Sequence, residues 1–252
     1  MASILDNFFE SAFTVDNVIF GFDEGDLKVL LIKRGEDPFL GEWALPGYFV
    51  HASENIDDAA NRILEELTGL KNVFLEQVKT FGKVDRHPSG RVLTVAYFSL
   101  VKIENYLIQS AGIALKARWH RVSDLNKLAF DHLEILQVCL QRLKILVRIR
   151  PVGFELLPPN FTLTQLQHLY EAVLDIMLDK RNFRKKILAM DLLVDMNESQ
   201  DKVAHRPAKL YRFDKKRYQL LILNGFTFEF KETKKQNLIK NSIRVRELNS
   251  KI

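Results

Sequence analysis

The stretch Gly47–Leu70, GYFVHASENIDDAANRILEELTGL, constrains the chain more than any other. A loop opened by Pro46-Gly47 leads into a run of apolar residues at helical spacing, and Gly69 supplies a stop. The spacing predicts a helix over about 55–68, with Ser53 or Asn55 available as its cap. Within it Ile63, Glu66 and Leu67 fall at i, i+3 and i+4 and so share one face. Ile63 and Leu67 join Leu64 and Leu70 in an apolar stripe, leaving Glu66 as the one carboxylate of the three positions. A hard divalent cation that gives up water reluctantly is held poorly by a lone glutamate.

Around this stretch the chain alternates between strand and helix patterns. Phe13–Phe22 and Lys28–Lys33 read as a hairpin about the turn Asp23-Glu24-Gly25-Asp26. Val73–Phe81 and Val92–Val101 read as two further strands joined by the loop Gly82–Arg91, and Arg118–Arg121 as a short one. Phe130 to about Arg148 has apolar residues at helical spacing, and Pro151–Pro159 breaks that helix as a linker. Beyond it, Phe161–Met177 and a segment from Asp179 or Lys180 to about Met190 read as helices. Lys209–Phe213 and Tyr218–Leu223 read as strands flanking the basic turn Asp214-Lys215-Lys216-Arg217. Helices followed by a two-stranded hairpin is winged-helix order. The expected division is 1–150 as a sensing domain, 151–160 as linker, 161–230 as a winged helix-turn-helix and 231–252 as a basic tail.

Charge separates the two halves. The net charge of +5 over 252 residues divides into −3 for residues 1–159 and +8 for residues 160–252. A near-neutral front joined to a basic back suits a sensing or enzymatic domain attached to a polyanion-binding one. A single cysteine, Cys139, permits no internal disulfide and points to a reducing, cytoplasmic setting. The N-terminus lacks the cationic lead of a signal peptide, and no apolar run reaches membrane-spanning length.

Leu178–Met190, LDKRNFRKKILAM, is the strongest candidate for DNA contact. Lys180, Arg181, Arg184, Lys185 and Lys186 lie within two turns, while Phe183, Ile187 and Met190 recur at i, i+4 and i+7. That arrangement anchors one face and turns the cations and the Asn182 amide outward. Arginine and asparagine are side chains that read base edges, and lysine binds mainly phosphate. In the expected wing, Lys209, Arg212, Lys215, Lys216 and Arg217 straddle a phosphate backbone, Tyr211 packs or donates to a phosphate, and Arg206 leads in. In the front domain Trp43, Asp85, Arg86, Asp131 and His132 are candidate ligand contacts. For each a plainer role competes: core for Trp43, a loop salt bridge for Asp85 and Arg86, a helix cap for Asp131. His51, His87, His120 and His132 have no metal-ligand spacing, and no metal or cofactor is expected.

In register, Gly47–Leu70 resembles the Nudix box, G-x5-E-x7-R-E-U-x-E-E-x-G-U with U aliphatic, aligned on Glu54, Arg62, Leu64, Gly69 and Leu70. Tyr48 stands where the box has its first glycine, although Gly47 matches the Pro-Gly lead-in. Ile63 and Leu67 replace two of the three glutamates of the metal face, leaving Glu66. The resemblance implies that Glu54 and Arg62 brace loop against helix, and that scaffold is kept while catalysis is lost. Further matches, FGKVDRHPSGR (Phe81–Arg91), VAYFSLV (Val95–Val101), AFDHLEIL (Ala129–Leu136), FELLPPNFTLTQLQHLYEAVL (Phe154–Leu174) and LDKRNFRKKIL (Leu178–Leu188), make the whole chain similar to the NrtR type of Nudix-related transcriptional regulators.

This resemblance implies an α/β protein, an N-terminal Nudix-like α/β/α sandwich followed by a C-terminal winged helix-turn-helix. It also implies a homodimeric, non-catalytic repressor bound to an inverted-repeat operator in double-stranded DNA. Leu67 and Tyr48 lean toward the sugar-responsive, AraR-like branch, with a pentose such as L-arabinose as effector. The alternative is a regulator of NAD metabolism sensing ADP-ribose. A diphosphate ligand wants the metal site or extra cations near the box, and few are visible there in the sequence. An active Nudix pyrophosphatase, its metal site rebuilt from Glu66 with Glu76 or Asp85, is a rival from another class. An RNA- or protein-binding adaptor is a third.

Overall fold

Glu24 and Gly25, with φ of 53° and 87°, close a two-residue turn of the primed type between β1 (Ala12–Asp23) and β2 (Asp26–Arg34). Onto this hairpin a mixed sheet is built in a computed structural model that describes residues 12–105, 108–200 and 207–230. Its further strands are β3 (Trp43–Ala44), β4 (Gly47–Phe49), β5 (Glu76–Phe81), β6 (Val92–Leu100) and β7 (Ala114–Arg121). The path is β3-β2-β1-β6-β5, with β4 paired to β1 and β7 paired to β2. Only β1 and β6 run parallel among these pairs. β7 starts earlier than its sequence suggests, because Ala114–Ala117 pair with β2 despite two exposed residues among them.

The helix α1 (Ile56–Thr68) follows Asn55 and ends at Gly69, whose φ of 75° is the left-handed stop expected there. Asp57 and Asp58 sit in its first turn, where carboxylates complement the helix dipole. Ile63 and Leu67 pack with Val15, Ile32, Val95 and Tyr97, while Leu64 and Leu70 pack with Ile19 and Leu30. Successive strand residues point to opposite faces. Val15 therefore faces α1, and Asp16 faces the other side, where it meets the start of α2 (His132–Ile149).

The chain divides into two compact units between Arg142 and Leu143, a point inside α2. Pro151–Leu156, expected as linker, forms 3-10 turns with Phe154 and Leu156 buried. Within the second unit, Thr162 and Gln165 make a reciprocal capping box at the start of α3 (Leu163–Leu174). Asp179 caps α4 (Lys180–Ala189), and β8 (Leu193–Ser199) pairs antiparallel with β9 (Lys209–Phe213).

Residues 218–223 are not a strand: Lys215–Leu223 is a helix, α5, whose Asp214 cap accepts from the Arg217 amide at 2.9 Å. Asp before three helix-tolerant cations is a helix start as readily as a turn, and the leucines continue it. The wing partner of β9 is instead β8, whose LVDMNES alternates only over Val194–Asn197. Lys215, Lys216 and Arg217 therefore occupy the first turn of α5 rather than a wing tip. Arg206 and the expected tail 231–252 lie outside the described residues. Among the described residues, no helix is long and apolar enough to cross a membrane.

Candidate functional site

At the box, Arg62 is the hub. Its Nε and Nη2 donate to the two carboxylate oxygens of Glu54 at 2.8 and 2.5 Å, its Nη1 to Glu66 at 3.0 Å and its Nη2 to the Phe49 carbonyl at 3.0 Å. The His51 amide also donates to Glu54, at 2.7 Å. Arg62, with help from that amide, holds the Glu54 carboxyl down at about 2. Ile63 and Leu67 are buried in the core and present only hydrocarbon, and Tyr48 packs half-buried against the same cluster. Glu54 and Glu66 are both engaged by one guanidinium. Among the described residues no group of three or more His, Cys, Asp or Glu could hold a metal ion. The residues present do not fit the divalent cation that such a box implies.

Behind the box loop lies a buried polar cluster that includes three of the five expected ligand contacts. Arg86 binds Asp131 through two bonds of 2.9 and 2.7 Å and stands 3.6 Å from Asp16. His132 Nδ1 accepts from the Leu45 amide at 3.0 Å, so the neutral ring carries its proton on Nε2, 3.3 Å from Asp16. Burial holds the His132 pKa below its ordinary value, against the opposing pull of Asp16 and Asp131. Thr94 donates to the other Asp16 oxygen at 2.7 Å. Gly47 is required here, since a Cβ at that position would lie 1.9 Å from Asp16 Oδ1. Arg86 and Asp131 thus satisfy each other, while His132, through the Leu45 amide and Asp16, fixes the lead-in to the box. The plain capping role weighed for Asp131 gives way to a bidentate ion pair. Asp85 is exposed and stands outside the cluster.

Sequence reasoning missed Asp16, although an acid in the inward register of VDNVIF was its signal. It also missed the aromatic group beside the cluster. Phe130 stacks on His87 at 5.0 Å, takes the Phe39 edge at 4.6 Å and carries the Arg34 guanidinium at 4.9 Å from its centroid. Its φ of 53° is unusual for a bulky residue and is held by these neighbours. Trp43 is half-buried and meets His120 edge-to-face at 4.3 Å. It pairs with Lys33 of β2, whose other neighbour is Lys116 of β7.

In the second unit Phe183 and Ile187 bury one face of α4, with Phe183 edge-on to Tyr170. On the outer face Lys180, Arg181, Asn182 and Lys185 are exposed, and among the described residues the three cations have no acidic partner. Arg184 is half-buried and donates to Thr164 at 3.2 Å, so it ties α4 to α3 rather than projecting freely as expected. Lys186 lies over the Phe230 ring at 5.5 Å. Lys209 pairs with Asp195, Lys215 with Glu155 and Arg217 with Asp191, while Lys216 is exposed. Tyr211 exchanges backbone bonds with Phe161 at 2.9 and 2.8 Å, which joins the wing to the segment before α3. The arrangement is an exposed basic helix beside a two-stranded hairpin.

Known proteins match both halves. Residues 12–139 match the NUDIX domain family and residues 153–213 the NrtR DNA-binding winged helix domain. The chain is 39% identical over 205 residues to the ADPR responsive transcriptional repressor NtrR of Acinetobacter baylyi, covering 79% of this chain and 81% of that protein. It is also similar to Shewanella oneidensis NrtR complexed with a 27mer DNA, at 32% identity and a TM-score of 0.67, over 80% of this chain and 93% of that one. The front unit is similar to the NUDIX domain of the same Shewanella protein complexed with ADP ribose. That likeness has 33% identity and a TM-score of 0.51, over 55% of this chain and 92% of the other.

Proposed function

Because the chain belongs to the NrtR family of Nudix-related transcriptional regulators, we propose that it is a repressor whose hold on operator DNA responds to ADP-ribose. The observation that carries this reading is the likeness to an ADP-ribose-responsive repressor across both domains. The pentose reading rested on lost carboxylates at the box. Those losses argue against a metal, not against a nucleotide, and the ADP-ribose alternative has the better support.

The second unit docks α4 in the major groove, with Arg181 and Asn182 at base edges and Lys180 and Lys185 on phosphate. Two copies related by a two-fold axis bind an inverted repeat, as operator symmetry requires. The first unit binds the effector beside the box, in the cytoplasm, and does not hydrolyse it. Ile63 and Leu67 leave nothing to position Mg²⁺ or an attacking water. The ligand acts only through its differential affinity for the DNA-bound and free forms.

Duplexes recovered by in vitro selection provide the test. Fluorescence anisotropy should show their affinity changed by ADP-ribose and untouched by L-arabinose. The reverse pattern would return the pentose reading. Mg²⁺-dependent hydrolysis of ADP-ribose that disappears in Glu66→Gln would establish the pyrophosphatase instead.

A further inference from the structure

The pairing of β2 with β7 sets Lys33 directly opposite Lys116, and Lys33 is opposite Trp43 on its other flank. Side chains two apart on a strand share a face, which adds Arg118 and His120 to the group. Opposed side chains in such a pair have Cβ atoms about 4.5–5.5 Å apart, and like charges there are destabilising. The usual remedy is absent. Lys28 and Arg121 on the same two strands have carboxylate partners, Asp23 and Asp26, at 2.9 and 2.8 Å. Among the described residues Lys33, Lys116 and Arg118 have none. Lys116 and Arg118 are exposed, and Lys33 is half-buried beside the Trp43–His120 pair.

His120 Nε2 is buried without a hydrogen-bond partner. Burial, and then the neighbouring Arg118, hold the His120 pKa below its ordinary value. From Trp43 the backbone passes through Ala44, Leu45 and Pro46 into the box loop, so the Trp43 end of this face lies near the box along the chain. The extra cations that a diphosphate wants near the box are therefore present. They escape a linear reading because Lys116 and Arg118 come from far downstream.

We propose that Lys33, Lys116 and Arg118 form a metal-independent site for the phosphate groups of a nucleoside-diphosphate sugar, with Trp43 and His120 as its aromatic wall. The proposal rests on the ADP-ribose reading and deepens it. An anion seated between the lysines relieves the cross-strand repulsion, so the three cations supply the positive charge that a metal-bearing box supplies with Mg²⁺.

Calorimetric titration of the full chain in EDTA, with ADP-ribose and separately with inorganic pyrophosphate, tests it. The wild type should bind both equally well with EDTA or Mg²⁺, and Lys33→Ala/Lys116→Ala should bind both at least tenfold more weakly. Lys116→Glu should abolish pyrophosphate binding yet raise the melting temperature, because it turns a repulsive pair into an attractive one. A variant that had merely lost its fold would move both readouts down. Unchanged ADP-ribose affinity in the double variant, or wild-type binding that needs Mg²⁺, would overturn the site and leave the ADP-ribose reading standing. Pyrophosphate binding lost in the double variant, with no wild-type response to ADP-ribose, would keep the site and remove that reading.

Discussion

Asp16 is a carboxylate set into an apolar strand, and Arg86, His132 and Thr94 all turn toward it. Removing one member of a buried charge cluster leaves the others uncompensated, which typically costs about 3–5 kcal/mol. Arg86→Ala should lose an amount of that order in urea unfolding monitored by fluorescence, with Asp131 and Asp16 left facing each other. The histidines add a pH dependence. His87, His120 and His132 all have pKa values pushed below 6.5, with burial the largest cause in each. The unfolded chain binds their protons more readily, so stability is full above about pH 6.5 and falls as pH drops below it. Glu54, held at about 2, adds a second loss as pH falls below 4.5 toward that value. Melting temperatures measured from pH 8 to 5 should decline below 6.5, and His132→Gln should flatten part of that decline. None of the Asp16 cluster was visible as a unit in the sequence. Asp16 had a signal of its own, but its partners Arg86, Thr94 and His132 are spread along the front unit. Only Gly47, by its place in a recognisable box, hinted at a tight approach.

Helices with strong local punctuation were legible, and hairpins without it were not. α1 is specified by apolar spacing, acids in its first turn and Gly69, and α3 by a reciprocal cap. β8 alternates only over Val194–Asn197 before turning wholly polar, too short a run to mark a period of two. The leucine-rich run ahead of Asn224 satisfies either period, and its Asp214 cap decides for helix. For α4 the spacing gave the buried face but not the tether of Arg184 to Thr164. That tether separates two arginines that look equivalent in sequence. Arg181→Ala should cost roughly 1–3 kcal/mol in DNA binding and relax base preference, as expected for a side chain at a base edge. Lys185→Ala should weaken binding evenly on every duplex. Arg184→Ala should lower the melting temperature of the free protein, which neither of the others should do. Anisotropy titrations on selected and scrambled duplexes, with parallel thermal melts, separate the three.

Over the whole chain, a balance of −3 over residues 1–159 and +8 over residues 160–252 suits a polyanion partner for the basic part. DNA affinity should therefore fall with salt on a log–log slope of about −0.9 per phosphate neutralised. Lys216→Ala should make that slope shallower by about one unit if its ammonium lies on a phosphate, and a slope unchanged in the variant would remove it from the contact set. The rear unit is not uniformly anchored. α5 spans nine residues with no buried side chain, and Leu220 and Leu223 are exposed. Two turns of helix held by the half-buried Tyr218 against Phe213 and by exposed ion pairs at Lys215 and Arg217 have little cooperativity of their own. Its amides should therefore exchange with deuterium close to the free-peptide rate, while those of α1 wait for global opening. Among the described residues, the helix expected to open ahead of α1 thus directly follows the wing strand β9.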